Sequence, residues 1–220
     1  RDQQSLGELM NNFIEEQIQT VRNSYPSLAL INSDSGCLLT VALHFTASVA
    51  NKETITANFN VKISIPHSYP EELPKVFPSG YSLDQRFEHT NADGSFCLAV
   101  PLEERGRFEV EPSLLGFINN LVVPFLYGYS YFLKYGEHPF GEREHGNKGI
   151  LDFYLETFAS SDARTVLTSL YQFAIHGYRA HEKCPCGSGK KVLKCHKKEL
   201  KLLLKNKELL MSDLAQFIPR

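Results

Sequence analysis

The stretch ETITANFNVKISIP, Glu53 to Pro66, decides the fold class. Ile55, Ala57, Phe59, Val61, Ile63 and Ile65 alternate with polar partners along its whole length. Successive strand side chains point to opposite faces, so this strict period of two predicts a half-buried antiparallel strand. Upstream, SLALINSDSGCLLTVALHFTAS (Ser27–Ser48) is apolar and β-branched. It is interrupted only by the turn-forming cluster Asn32 to Gly36, which predicts strands near 28–32 and 37–47. Downstream, HSYPEELPKVFPS (His67–Ser79) carries Pro70, Pro74 and Pro78, which leave room for one short edge strand near Lys75–Phe77.

Helices flank this block. Leu6, Leu9, Met10, Phe13, Ile14, Ile18 and Val21 follow the i, i+3, i+4 spacing of one helix face within Gln3–Tyr25, and Pro26 ends it. Residues 80–111 read as irregular. Pro112 suits the first position of a helix that Pro124 should kink or break. Residues 136–149 form a loop rich in Gly and His. Two more helices follow, broken and capped at Ser160-Ser161-Asp162, and an amphipathic helix with Leu200, Leu203, Leu210, Leu214 and Phe217 closes the chain. Strands grouped before helices predict an α+β fold rather than a parallel βαβ sheet.

With 42 % hydrophobic and 22 % charged residues, the chain has an ordinary globular composition. No apolar run reaches the roughly 20 residues needed to span a bilayer, and RDQQSLGELM carries no secretory pattern. The five cysteines are Cys37, Cys97, Cys184, Cys186 and Cys195, three of them clustered. That is no disulfide framework, and it points to a reducing cytoplasm. Residues 183–208 hold nine Lys against two Glu, a local +7, which leaves −9 on the rest of a chain of net charge −2. Such a basic tail could meet nucleic acid or an acidic protein face, and its lack of interleaved aromatics argues against nucleic acid.

CPCGSGKKVLKCH presents Cys184, Cys186, Cys195 and His196, four ligands suited to a closed tetrahedral zinc site. Gly187-Ser188-Gly189 allows the chain to turn back on itself, and the surrounding lysines favour thiolates. Four protein ligands leave no open position, so the zinc is expected to be structural. The string resembles the zinc motif at the C-terminus of the SecA translocation motor, which recurs as an appendage on many bacterial proteins and there docks protein partners.

HTNADGSFCL, His89 to Leu98, sets Cys97 after a turn signal, Asp93-Gly94. A thiolate is a nucleophile, and a neutral side-chain amide such as that of Asn91 can donate to an oxyanion. Here the chain resembles the ubiquitin-conjugating enzymes, in a bacterial branch. Their His-Pro-Asn, Gly, Cys-Leu signature stands as His89-Thr90-Asn91, Gly94 and Cys97-Leu98, and their upstream Tyr-Pro motif as SYPEELPKVFPS. Thr90 replaces the motif proline, the spacing from Asn91 to Cys97 is shorter than in the eukaryotic enzymes, and Phe108 stands where a Trp is common.

The resemblance implies a ubiquitin-conjugating fold: an N-terminal helix, a four-stranded antiparallel meander, an active-site loop and C-terminal helices. It implies a catalytic domain over 1–180 with a helical extension, followed by the zinc motif at 181–197 and a terminal helix at 198–220. It further implies that Cys97 carries a protein C-terminus as a thioester and passes it to an amine, with Asn91 stabilising the oxyanion and His89 shaping the loop. The implied partners are a ubiquitin-like modifier or the C-terminus of a cGAS-like nucleotidyltransferase, with an activating enzyme, in bacterial antiphage defence. The alternative is a non-catalytic binding module of the same fold. Cys37, at the start of a strand, reads as core. His138, Glu142, Glu144 and His145 could help deprotonate an incoming amine, and Glu103 and Glu104 could orient an acceptor lysine, but both sets read first as solvated surface.

Overall fold

The computed structural model describes residues 2–33, 36–141, 146–179 and 181–217, with side chains for 12–31, 37–141, 146–179 and 181–217. Glu142, Glu144 and His145 lie outside the described residues. The chain divides into two compact units. The first comprises residues 1–99 and 107–141, the second residues 100–106 and 142–220.

The first unit is a four-stranded antiparallel meander with helices: α1 (Asp2–Ser24), β1 (Ala29–Ser33), β2 (Gly36–Ala47), β3 (Ile55–Pro66) and β4 (Lys75–Pro78), ordered β1-β2-β3-β4. The α+β class expected from the sequence is what the structure contains. Register follows the period-two pattern: Leu39 faces Ile63, Val41 faces Val61, Leu43 faces Phe59, and Val76 of β4 faces Ile63. These residues line one sheet face, and a one-residue slip would turn the whole apolar set to solvent. α1 buries Ile18 and Val21, and Gln17 of the same helix accepts from the Tyr69 hydroxyl (2.8 Å) and the Leu114 N–H (2.7 Å).

The helical run expected from Pro112 begins at Leu114. Ser113 is its cap, accepting from the Gly116 N–H at 2.9 Å, so Pro112 stands ahead of the helix. α2 (Pro101–Phe108) occupies part of the stretch expected to be irregular. α3 (Leu114–Phe117) leads into a π turn (Ile118–Val122) and then α4 (Val123–Tyr135). Pro124 therefore does not break the helix. The widened turn, in which the Val123 N–H reaches back to the Ile118 carbonyl, accommodates a residue that has no N–H and a bulky ring. Phe117, Ile118, Leu121, Val122 and Leu126 are fully buried along this run.

The second unit contains α5 (Gly146–Thr157), α6 (Ala163–His176), the cysteine-rich loop, α7 (Lys197–Lys205) and α8 (Lys207–Leu214). Asp162 caps α6 through the Thr165 N–H at 3.0 Å, as the Ser-Ser-Asp cluster predicts. The expected boundary at 180 falls inside this unit. Leu102, Phe153, Phe158, Val166, Leu170, Cys184, Val192, Leu200, Leu203, Leu210 and Leu214 share one core. A segment as short as 181–197 cannot bury a core alone. The single terminal helix expected is two helices, broken at Asn206, whose side-chain and backbone N–H groups both bond the Leu202 carbonyl. Asp213 is buried, and the Tyr154 hydroxyl donates to it at 2.9 Å. No helix among the described residues is long and apolar enough to cross a membrane.

Candidate functional site

His89, Asn91 and Cys97 belong to one small hairpin in the first unit. The Cys97 N–H donates to the His89 carbonyl (3.0 Å), Thr90 pairs with Phe96, and the Asn91 N–H donates to the Ser95 carbonyl (2.8 Å). The Gly94 N–H closes the turn on the Asn91 carbonyl at 2.9 Å, with Gly94 at φ +83°. A three-residue loop ending in a left-handed residue is a standard way to reverse a strand, and glycine adopts that conformation at little cost. The Phe96 N–H donates to the Val76 carbonyl of β4 at 2.7 Å, and the Phe96 ring stacks on Phe125 with centroids 4.6 Å apart. The hairpin is thereby pinned to both sheet edge and helix.

Inside the turn, polar groups satisfy one another. Asn91 Nδ2 donates to Ser95 Oγ (3.0 Å) and to the Phe96 carbonyl (3.1 Å). Asp93 Oδ1 accepts from the Ser95 N–H (3.0 Å) and hydroxyl (2.6 Å), and its Oδ2 accepts from Lys75 Nζ at 2.7 Å. The Lys75 ammonium first, then the Ser95 bonds, hold the Asp93 carboxyl far below the usual carboxylate range. Asn91 thus spends its amide hydrogens within the hairpin. Cys97 is half-buried, as is Cys37. Nothing in the sequence distinguished Ser95 or Lys75 as members of this network; the Asp93-Gly94 turn signal was the nearest pointer.

A ring cluster continues from the hairpin. Phe87 is buried and meets His89 edge-on at 4.8 Å, and His138 stacks on Phe87 at 5.4 Å. His138 also lies 5.4 Å from the His89 ring and 5.0 Å from Phe132. The structure therefore brings one histidine of the 136–149 loop against the candidate site. An open groove of about 450 Å³ runs along the hairpin, lined in part by Pro78, Leu83, Asp84, Phe87, Glu88 and Thr90. Glu103 and Glu104 lie in the first turn of α2, within the second unit. Phe108, expected at the position of a common Trp, is buried and meets Tyr69 edge-on at 6.1 Å.

In the second unit, the ligand atoms of Cys184, Cys186, Cys195 and His196 all lie within 4.8 Å of one another, close enough to bind a metal ion. Cys184 Sγ and Cys195 Sγ are 3.3 and 3.4 Å from His196 Nδ1, and Cys186 Sγ is 3.6 Å from Cys195 Sγ. A tetrahedral ion with metal–sulfur bonds of about 2.3 Å requires sulfur pairs about 3.8 Å apart and sulfur–nitrogen pairs about 3.6 Å apart. The donor set fits, with Nδ1 as the histidine ligand.

Local structure explains the convergence. The Cys184 N–H donates to the Lys190 carbonyl (2.8 Å), and Gly187 and Gly189 take positive φ, which folds the loop back. A 3₁₀ turn (Val192–Lys194) then delivers Cys195, and His196 sits at the start of α7. Ser188 Oγ lies 3.0 Å from Cys186 Sγ and 3.7 Å from Cys195 Sγ, a supporting contact hidden in sequence within a turn read only for flexibility. Burial pushes the Cys184 thiol up, to about 11. For Cys186, burial acts upward too, but the bonds from Ser188 and the neighbouring thiols outweigh it and pull it down, to about 6. Comparison with protein-family models, with curated proteins and with solved structures finds no match.

Proposed function

We propose that the protein is a conjugating enzyme that carries a protein C-terminus as a thioester on Cys97. The observation that carries this reading is a half-exposed thiol at the end of a hairpin that also holds His89 and Asn91. The Cys97 thiolate attacks the acyl carbon of a C-terminus held as a thioester on an activating enzyme. A new C–S bond forms, the old one breaks, and the activating enzyme's thiolate leaves. An amine then attacks the Cys97 thioester to give an amide.

Asn91 is the proposed oxyanion donor, which requires its amide to swing off the Phe96 carbonyl. His89 shapes the loop by anchoring Cys97 through its carbonyl. The acyl group proposed is the tail of a ubiquitin-like modifier or of a cGAS-like nucleotidyltransferase, in bacterial antiphage defence in the cytoplasm. The metal proposed for the four-ligand cluster is Zn²⁺ in a structural role, supplying local folding energy.

One observation favours a second reading, a non-catalytic binding module of the same ubiquitin-conjugating fold. Both hydrogens of the Asn91 amide are already engaged within the turn. The deciding experiment is intact mass and a non-reducing gel on protein co-expressed with its genomic neighbours, wild type beside Cys97→Ala. A thiol-sensitive adduct present only with Cys97 supports the acyl carrier. Its absence from folded, metal-loaded protein favours the binding module.

A further inference from the structure

We infer that His138 is the proton acceptor for the amine that attacks the Cys97 thioester, an inference that rests on the acyl-carrier reading above. The loop that carries it is exposed at Gly136, Glu137, Phe140 and Gly141, yet its backbone is tied at both ends. Gly136, at φ +69°, caps α4 with its N–H on the Phe132 carbonyl at 2.7 Å, and the Gly141 N–H returns to the His138 carbonyl at 3.2 Å. Between them, the Phe140 ring lies against Tyr127, 6.0 Å between centroids, and over Gly128, where a side-chain carbon would come within 3.6 Å of it.

Ring packing places the His138 imidazole beside the hairpin. Its ring is stacked on Phe87 at 17° and packed on Phe132, which sets its plane. The His89 ring also lies against it, crossed at 78°, and the His89 carbonyl holds the Cys97 N–H. His138 is half-buried, so the imidazole is oriented by packing while part of it stays open to solvent. A histidine whose ring plane is fixed by packing while part of it meets solvent is suited to taking up and releasing a proton.

The step balances without a further reagent. The amine nitrogen bonds to the thioester carbon and yields one proton to the His138 imidazole. The C–S bond breaks, and the Cys97 thiolate leaves and takes that proton back directly or through water. The acceptor class is a primary amine such as a lysine side chain. His89 acts as a positioning residue, holding both the His138 ring and the cysteine backbone.

The test uses the full metal-loaded chain. Cys97 is acylated by thiol exchange with a short peptide mercaptoethanesulfonate thioester, and discharge to free lysine is followed by intact mass. The expected result is that H138Q acquires the acyl group like wild type but discharges it to lysine more slowly, on the order of a hundredfold. Added imidazole restores discharge in H138A, which a purely structural role would not allow. Wild-type discharge rates in H138Q, or a slow H138A that imidazole does not rescue, would overturn the inference while leaving the carrier reading intact. Failure of the wild type, with C97A as control, to acquire the acyl group at all would overturn both.

Discussion

The backbone N–H of Cys97 donates to the carbonyl of His89 across 3.0 Å, so the thiol and the imidazole are carried on the two arms of one hairpin. The nucleophile's position is therefore set by the turn between them and by what pins that turn to the sheet.

Cys97 is half-buried rather than sealed in the core. Native, metal-loaded protein treated with iodoacetamide is expected to be modified at Cys97 without denaturant, whereas thiols engaged by a metal resist. Peptide mass mapping reads this directly. A Cys97 that reacts only after unfolding would favour the binding-module reading.

Gly94 holds φ +83° with open space around it, so a side chain there is opposed by backbone conformation and not by a clash. Gly94→Ala is expected to cost about 1 to 2 kcal/mol, measured by denaturant titration of the full chain. Ser95→Ala, which strips partners from both Asn91 and Asp93, should cost about 1 to 3 kcal/mol. Gly94→Asn should be milder than Gly94→Ala, because Asn tolerates the left-handed region better.

The Asp93 carboxyl titrates well below its ordinary range because Lys75 and Ser95 bind its charged form. Its folded-state value lies below its unfolded one. The stabilising contribution is thus fully present above the ordinary carboxylate range, about pH 4, and is lost as pH falls further. The Ser95 amide resonance should shift on acidification below about pH 4, and Asp93→Asn should abolish that step. An unchanged titration in Asp93→Asn would show that another carboxyl is responsible.

Gly116 lies so close to Glu111 that an added side-chain carbon would sit 2.0 Å from the Glu111 carbonyl oxygen. The obstacle is backbone, which cannot rotate away. Gly116→Ala is therefore expected to destabilise the first unit by about 1 to 3 kcal/mol, despite alanine's better helix propensity. Thermal melting separates the two effects by sign.

Metal binding by Cys184, Cys186, Cys195 and His196 requires deprotonated thiols, and burial keeps Cys184 a thiol into the alkaline range when no metal is bound. Metal affinity should rise with pH and collapse under acid or chelator. Elemental analysis is expected to give one zinc per chain, absent in Cys184→Ser. Because Cys184 and Val192 share a core with Phe158 and Leu200, metal loss should loosen α5 to α8 and not the loop alone, as hydrogen exchange would show.

Local pattern was enough to read the meander. Ile55 to Ile65 alternate strictly, and a period of two has only one way to bury one face, which the Leu39–Ile63 and Val41–Val61 pairs realise. The metal cluster was legible for a similar reason: its four ligands are near neighbours in the chain, and glycines closed the turn between them. The continuous helix past Pro124 was not legible, since a local rule predicts a break, whereas the folded chain takes a π turn there with Ile118, Leu121 and Val122 buried. Nor could pattern reveal that the Asn91 amide turns inward to Ser95 and Phe96, that His138 meets His89, or that the cysteine loop shares its core with α5 and α6. Periodicity and spacing report what one segment buries or binds; which distant segments share that burial is settled by the collective packing of the folded chain.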